Sequence, residues 1–245
     1  MRRWIILVFL FMFLMSNNLV FAFWDIKERS EQAKPDSQEG YQLGTSRANY
    51  DPEFIARCEK MYYGRPEVPF VLGLLRIKEG MVVGDIGCGV GSYTFPIAVA
   101  VGKSGKVYAV DIQEKMIEVV RKHMQDKQQN PYDNIIACVN KFNATLIPEN
   151  SLDVAWVSML HFHNFPVLYK ENVEMIMSIY DSLKPAGRLV IADEPDEPGY
   201  ISNPFPNIIK HYRQAGFIFV KGPIQDPIIK TSFYLIFKKP QAHGK

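Results

Sequence analysis

The sequence predicts an α/β protein with a doubly wound, mainly parallel sheet and helices on both faces. From residue 82 onward, short apolar runs typical of buried strands alternate with segments of helical periodicity. The first predicted strand ends in a glycine-rich turn, GDIGCGVG, that leads into a helix. The chain has 245 residues and 47% apolar composition, which suits one globular domain of ordinary core size.

Residues 1–22 have the composition of a secretory signal peptide. Two arginines precede an apolar run over residues 4–15, and Ala22 ends a stretch with small residues at the cleavage positions. The alternative is an uncleaved membrane anchor over residues 4–24, because this segment approaches the ~20 residues that span a bilayer. In both cases we expect an exported domain, periplasmic or secreted, whose membrane contact is limited to this segment.

A polar linker over residues 23–50 is predicted to precede the folded domain, 51–245. Pro52 favours a first helix over 52–63, since proline is tolerated in the first turn. A second helix has apolar residues at the spacing of one buried face. These residues are Val68, Val71, Leu72 and Leu75. The two helices form a predicted N-terminal lid, residues 51–78.

The remaining elements follow from the same two patterns. After the first strand, which ends near Asp85, further strands are predicted over residues 106–112, 134–139, 152–159, 188–192, 217–221 and 233–238. Helices are predicted over residues 92–100 and 114–124, around Ile176 and Ile179, and in a segment that ends near Gly216. The segment Lys184-Pro185-Ala186-Gly187 is predicted to be the turn into the fifth strand.

Charge and cysteine spacing argue against several classes of function. The formal net charge is +2 with both signs intermixed, so no nucleic-acid partner is expected. Cys58, Cys88 and Cys138 have no CxxC spacing and predict neither a zinc site nor a disulfide framework. No metal is therefore expected.

The glycine turn predicts a cofactor site at the carboxyl end of the first strand. A dinucleotide fingerprint would place its third glycine at position 92, which is Ser92, whereas the third glycine of this chain is Gly91. Asp85 lies within the turn, where a carboxylate would repel a pyrophosphate and favour a cationic ligand. The residues alone still leave another nucleotide-binding turn open.

The pattern DxGxGxG over Asp85–Gly91 resembles motif I of class I S-adenosylmethionine-dependent methyltransferases. The segments VYAVDI, NATLIPENSLDVAWV and SLKPAGRLVIADE follow it in the order of that family, and the resemblance covers about residues 65–239. It implies a seven-stranded sheet of order 3-2-1-4-5-7-6, whose last strand runs antiparallel beside the fifth. It also implies S-adenosylmethionine as cofactor and methyl transfer to a small-molecule or lipid-like acceptor.

The expected cofactor-binding residues are Asp85, Gly87, Cys88, Gly89, Gly91, Asp111, Ile112, Asn143, Ala144 and Ser158. Asp111 ends the second strand about 20 residues beyond the glycines, where a carboxylate can accept from both ribose hydroxyls. Asp85 either contacts the methionyl ammonium or shapes the turn, and Cys88 is a small residue that fills it. Asn143 and Ala144 stand where the family commonly has Asp-Ala in contact with the adenine edge; the change to Asn keeps a hydrogen-bonding side chain and loses the charge.

Catalysis by in-line displacement depends mainly on holding the acceptor and the methyl group in line. A general base is needed only for a protonated acceptor, and the candidates are His163 and His161, which follow the fourth strand. Other side chains expected near substrate or pocket walls are Asp193, Glu194, Tyr62, Tyr63 and Tyr93.

Two other functions stay open at the level of sequence. A methyltransferase-like module could bind a nucleoside ligand without turnover, which the change to Asn at position 143 favours mildly. A nicotinamide-dependent oxidoreductase is the third hypothesis, against which Ser92, Asp85 and the two closing strands argue.

Overall fold

The computed structural model describes residues 52–62, 65–128, 130–158, 170–193 and 205–242. Within these residues the strands form one seven-stranded sheet of order β3-β2-β1-β4-β5-β7-β6. The strands are β1 (Val82–Ile86), β2 (Lys106–Asp111), β3 (Ile135–Val139), β4 (Leu152–Ser158), β5 (Leu183–Asp193), β6 (Ile218–Gln225) and β7 (Phe233–Lys238). This sheet confirms the predicted fold class and strand order.

The strands β1 to β5 are parallel to one another, and β7 is antiparallel to both β5 and β6. Because carboxyl ends of parallel strands lie at one edge, the residues that end β1, β2, β3 and β4 come together there. In register, Asp85 of β1 pairs with Ala109 of β2 and with Trp156 of β4. The edge of the sheet where the cofactor is predicted to bind is therefore continuous across the central strands β2, β1 and β4.

Helices cover both faces of the sheet, as predicted. They are α1 (Pro52–Tyr62), α2 (Val68–Leu75), α3 (Thr94–Val101), α4 (Glu114–His123), α5 (Lys170–Ser182) and α6 (Phe205–Gln214). Buried residues of α2, α3 and α4 share one hydrophobic core, and those of α5 and α6 share the other. Successive strand residues alternate between the two cores, with Val190 in the first and Ile191 in the second.

Two strand boundaries differ from the prediction by more than one residue. β5 begins at Leu183, before the predicted turn, because Leu183 already pairs with Leu152. The register then jumps so that Val154 pairs with Arg188, and the Lys184–Gly187 turn is accommodated as an irregularity within β5.

The predicted end of β6 at Lys221 is also wrong. Ile224 and Gln225 still pair with β7, which extends the strand across an irregular stretch. A cis peptide joins Gly222 to Pro223 in this stretch. Proline cannot donate to a sheet ladder, and β6 is the edge strand, where this loss is tolerated.

The predicted signal or anchor segment, residues 1–22, and the predicted linker, residues 23–50, lie outside the described residues. Of the predicted lid, α1 and α2 are described, and the Arg188 guanidinium of β5 donates to the Leu74 carbonyl of α2 at 2.9 Å. No helix in the described ranges has the length and apolar content needed to cross a membrane.

Candidate functional site

The glycine turn is attached to strand β2 by backbone hydrogen bonds. The N–H groups of Gly87 and Cys88 both donate to the Val110 carbonyl, at 2.8 and 3.0 Å. The Gly91 N–H then donates back to the Cys88 carbonyl at 2.9 Å, which closes a tight turn ahead of α3. The turn therefore lies across the carboxyl ends of β1 and β2.

Two positions of this turn, Gly89 and Gly91, favour glycine for different structural reasons. Both have positive φ angles, +53° at Gly89 and +91° at Gly91, a region that side chains disfavour. A Cβ atom at Gly91 would lie 2.8 Å from the Phe95 ring, so packing against α3 requires this glycine. A Cβ at Gly89 would meet nothing within 4 Å, so Gly89 borders open space. Backbone at Gly89 is thus accessible to a ligand.

Asp111 is bonded to the glycine turn at the end of β2. Its Oδ2 accepts from the Gly89 N–H and its Oδ1 from the Gln113 N–H, both at 2.9 Å. Burial raises the pKa of Asp111, while the two backbone bonds lower it. Each carboxylate oxygen can accept a second hydrogen bond, so this geometry fixes the carboxylate and leaves acceptor capacity for a ligand.

Asp85 is buried beneath the turn, with 1% of its surface exposed. Its Oδ2 accepts from the Thr94 hydroxyl at 2.6 Å, which ties the end of β1 to the first turn of α3. Burial raises the pKa of Asp85 to about 7, the Thr94 hydrogen bond lowers it, and nearby Asp111 raises it further. Asp85 therefore shapes the turn, one of the two predicted roles, and its contact with a methionyl ammonium stays a prediction.

The raised pKa of Asp85 predicts a pH-dependent contribution to stability. The folded chain holds this proton more tightly than the unfolded chain, so the stabilisation is complete below about pH 4 and disappears as the pH rises through 7. Between pH 5 and pH 7.5, the wild type should lose about 2–3 kcal/mol of unfolding free energy relative to Asp85→Asn. Urea denaturation of both proteins at the two pH values measures this difference. Parallel pH dependences would contradict it.

Three other predicted cofactor residues flank the turn and Asp111. Cys88 is buried in the turn, and burial raises the pKa of its thiol, which fits a space-filling residue. Ile112 follows Asp111 with 40% of its surface exposed, so an apolar surface is available beside that carboxylate. Ser158 ends β4, and Trp156 two residues before it belongs to the α2–α4 core, so Ser158 faces the same side.

The structure places Asn143 and Ala144 against helix α5. The Asn143 side-chain amide donates to Glu174 of α5 at 2.8 Å. Both residues line a groove of about 560 Å³ whose other wall includes Val173 and Met177. The hydrogen-bonding side chain at position 143 is thus already engaged by the protein.

Asn140 is a candidate that the sequence reasoning missed. It follows β3 directly, and its backbone N–H donates to the Asp111 carbonyl at 3.1 Å. The side chain is 8% exposed and its amide donates to the Lys141 carbonyl at 2.9 Å. In the described part of the chain its Oδ1 accepts no hydrogen bond. A buried acceptor without a partner, one strand away from the Gly89–Asp111 pair, suits an amino group of a ligand.

Arg65, Glu67 and Tyr93 form a second group beside the turn, of which the sequence predicted only Tyr93, as a pocket wall. The Arg65 Nη1 donates to Glu67 Oε1 at 3.0 Å and to the Tyr93 hydroxyl at 3.1 Å. The Tyr93 hydroxyl donates to the same Glu67 oxygen at 2.9 Å. The Tyr93 ring also packs edge-on against Trp156, 4.9 Å between centroids. The sequence shows a glutamate two residues after Arg65, but it does not show that Glu67 is buried or that it bonds to Tyr93, 26 residues further along the chain.

A family model described as a methyltransferase domain matches residues 77–216, a range that contains the glycine turn, Asp111 and Asn140. The chain belongs to this methyltransferase-domain family.

Curated relatives and solved structures agree with this membership. Over 163 residues, 65% of the chain, it is 26% identical to a demethylmenaquinone methyltransferase of Oceanobacillus iheyensis and covers 60% of that protein. It is 23% identical to phosphoethanolamine N-methyltransferase 3 of Arabidopsis thaliana over 76% of the chain and 37% of that protein. A SAM-dependent methyltransferase of Aquifex aeolicus has the same fold, with a TM-score of 0.61, 24% identity and coverage of 77% of this chain and 98% of that one.

The curated relatives are longer than the part that matches. The alignments with the demethylmenaquinone and phosphoethanolamine enzymes span less than two thirds of either protein. Together, the family model and the neighbouring folds support the prediction of a methyltransferase that uses S-adenosylmethionine.

Several predicted residues of this methyltransferase domain lie outside the described residues: His161, His163, Glu194, Tyr63 and the side chain of Tyr62. Asp193 is described and buried, and together with burial it raises the pKa of Tyr212 in α6. Strand alternation accordingly turns Asp193 toward the α5–α6 face, away from the face of Trp156. No cluster of potential metal ligands occurs among the described residues.

Proposed function

We propose that this methyltransferase domain transfers the methyl group of S-adenosylmethionine to a small-molecule or lipid-like acceptor. The observation that carries the proposal is the bond from the Gly89 N–H to Asp111, beside open space at Gly89. A fixed carboxylate next to accessible glycine backbone suits a ribose and the cationic chain attached to it. Asp85 beneath the turn, whose pKa is raised to about 7, adds negative potential in proportion to its ionised fraction.

The residues present fit the cofactor group by group. The second lone pairs of Asp111 would accept from the ribose hydroxyls, and exposed Ile112 would cover the adenine face. The unused Oδ1 of Asn140 would accept from the adenine amino group. Gly89 keeps side-chain atoms out of the open space beside Asp111, and Cys88 next to it is buried.

S-adenosylmethionine supplies a methyl group that is already activated by its positive sulfur. The protein therefore contributes mainly alignment, which can supply roughly 7–11 kcal/mol of the barrier. Ser158 at the end of β4 is proposed to border the methionyl chain. His163 and His161 are proposed as alternatives for the base that removes a proton from the acceptor.

Substitution of Asn140 and of Asn143 in turn tests which of the two residues contacts the adenine. Asn140→Ala should weaken binding of S-adenosylhomocysteine about 5- to 10-fold, since one hydrogen bond is lost. Asn143→Ala, the matched control, should change affinity less than about twofold because its amide already bonds to Glu174. Calorimetric titration of both variants measures this, and the opposite order of effects would restore Asn143 to the adenine site.

The acceptor class is proposed from the relatives, which are named for menaquinone and phosphoethanolamine methylation. The test is release of S-adenosylhomocysteine from S-adenosylmethionine by the full chain. Demethylmenaquinone and phosphoethanolamine serve as the two probe acceptors, with no acceptor as the control. Cofactor binding with no release on any acceptor, lipid-like or water-soluble, would favour the silent binding module instead.

We also propose that the N-terminal segment exports the domain. The proposal rests on the two arginines, the apolar run over residues 4–15 and the small residue Ala22. Mass spectrometry of the protein purified from its host distinguishes the two forms. Loss of residues 1–22 indicates cleavage, an intact mass in the membrane fraction indicates an anchor, and an intact mass in the cytosol would contradict export.

A further inference from the structure

The Arg65–Glu67–Tyr93 group has hydrogen-bonding capacity that the described contacts leave unused. Glu67 is 3% exposed, and within the described residues its second oxygen, Oε2, has no partner. An unsatisfied buried carboxylate oxygen is costly and calls for a specific explanation. The Arg65 side chain is 36% exposed, and its described hydrogen bonds use Nη1 alone. The other guanidinium N–H groups remain as donors beside the turn.

This group lies at the far end of the glycine turn from Asp111. Asp111 is bonded to Gly89, whereas Arg65 is bonded to Tyr93, four residues further along the turn. The charges of the site are accordingly arranged in order, with a carboxylate at one end and an ion pair at the other. Asp85 lies beneath, buried and bonded to Thr94.

The order of groups in S-adenosylmethionine matches this arrangement. Its ribose is followed by the sulfonium and then by an amino-acid end with one ammonium and one carboxylate. With the ribose at Asp111, the carboxylate of the amino-acid end would be repelled by Asp111, and by Asp85 where it is ionised, unless a cation receives it. Arg65 is the cation that the described contacts bring to the turn.

We propose that Arg65 and Glu67 together bind the amino-acid end of the cofactor, a role that rests on the function proposed above. The Arg65 guanidinium pairs with the carboxylate, and Glu67 Oε2 accepts from the ammonium. Tyr93 is a positioning residue, because its hydroxyl and ring hold the Arg65 guanidinium over the turn. In this proposal Glu67 contacts the methionyl ammonium, a contact that the sequence predicted for Asp85 as one of two roles.

A pair of ligands tests the proposal by calorimetry on the full chain. S-adenosylhomocysteine contains the amino-acid end, whereas 5′-methylthioadenosine lacks it and keeps the adenosine and the sulfur. Arg65→Gln and Glu67→Gln should each weaken S-adenosylhomocysteine about 10- to 100-fold, the range for hydrogen bonds to charged groups. Both variants should bind 5′-methylthioadenosine as the wild type does. Arg65→Lys should recover part of the loss, because it keeps the charge without the fork of donors.

The matched control is Lys103→Gln, an exposed cation that follows α3. It should leave both affinities unchanged. The inference would be overturned if the Arg65→Gln variant bound S-adenosylhomocysteine as tightly as the wild type. It would also be overturned if the variant lost affinity for both ligands equally. Equal wild-type affinity for the two ligands would overturn it as well, while the proposed function would stand. Failure of the wild type to bind either ligand would overturn the proposed function itself.

Discussion

Asp111→Asn is expected to weaken binding of S-adenosylhomocysteine at least about 100-fold. The carboxylate would make two charge-assisted hydrogen bonds to the ribose, each worth about 1.5–3 kcal/mol, and about 1.4 kcal/mol corresponds to tenfold in affinity. Gly89 and Gln113 bond to different carboxylate oxygens, so in asparagine one of the two N–H donors would face an NH2 donor instead of an acceptor. The misplaced amide group would also disturb the turn.

Asp153→Asn is the matched control for this substitution. Asp153 also accepts from a backbone N–H, that of Val82 at 2.8 Å, and from Lys184 at 2.6 Å, but it lies near the start of β4. It should lower stability to a comparable degree and leave affinity within about twofold of the wild type. Calorimetry and thermal unfolding of both variants decide the matter. Equal losses of affinity would mean that Asp111 acts through folding alone.

Alanine at Gly89 and at Gly91 is expected to produce opposite defects. Gly91→Ala should cost about 2–4 kcal/mol of unfolding free energy, because the left-handed backbone strain adds to overpacking against Phe95. Gly89→Ala should cost only about 1–2 kcal/mol, since its methyl group meets nothing. The same methyl group would occupy the ligand space and weaken S-adenosylhomocysteine more than about tenfold.

Denaturant titration and calorimetry on the two variants separate these effects. Gly91→Ala, measured below its unfolding transition, should bind within a few-fold of the wild type. If Gly89→Ala binds normally while Gly91→Ala does not, the open space at Gly89 is not where the cofactor lies.

Much of the fold could be predicted because its signals are local. The strand that ends at Asp85, its glycine turn and the second strand ending at Asp111 each follow from a run of adjacent residues. The start of β5 could not be predicted, because the pairing of Leu183 with Leu152 depends on a register irregularity. The turn signal at Lys184–Gly187 therefore coincides with a register irregularity inside β5, and the predicted start of the strand was wrong.

The candidate site was predictable only where a motif covers it. Gly89 and Asp111 belong to motifs with a fixed spacing, and the structure joins them by a hydrogen bond. Asn140 was overlooked because its unused oxygen is a property of packing, invisible in the sequence. The contact of Glu67 with Tyr93 likewise depends on how α2 packs against the start of α3.

The most direct test of the central claim is calorimetric titration of the full chain with S-adenosylmethionine. We expect saturable binding of one cofactor per chain at micromolar concentration, sharply weakened by Asp111→Asn and undisturbed by Asp153→Asn. Absence of heat at high micromolar concentration, or saturable binding of NADH in its place, would contradict it.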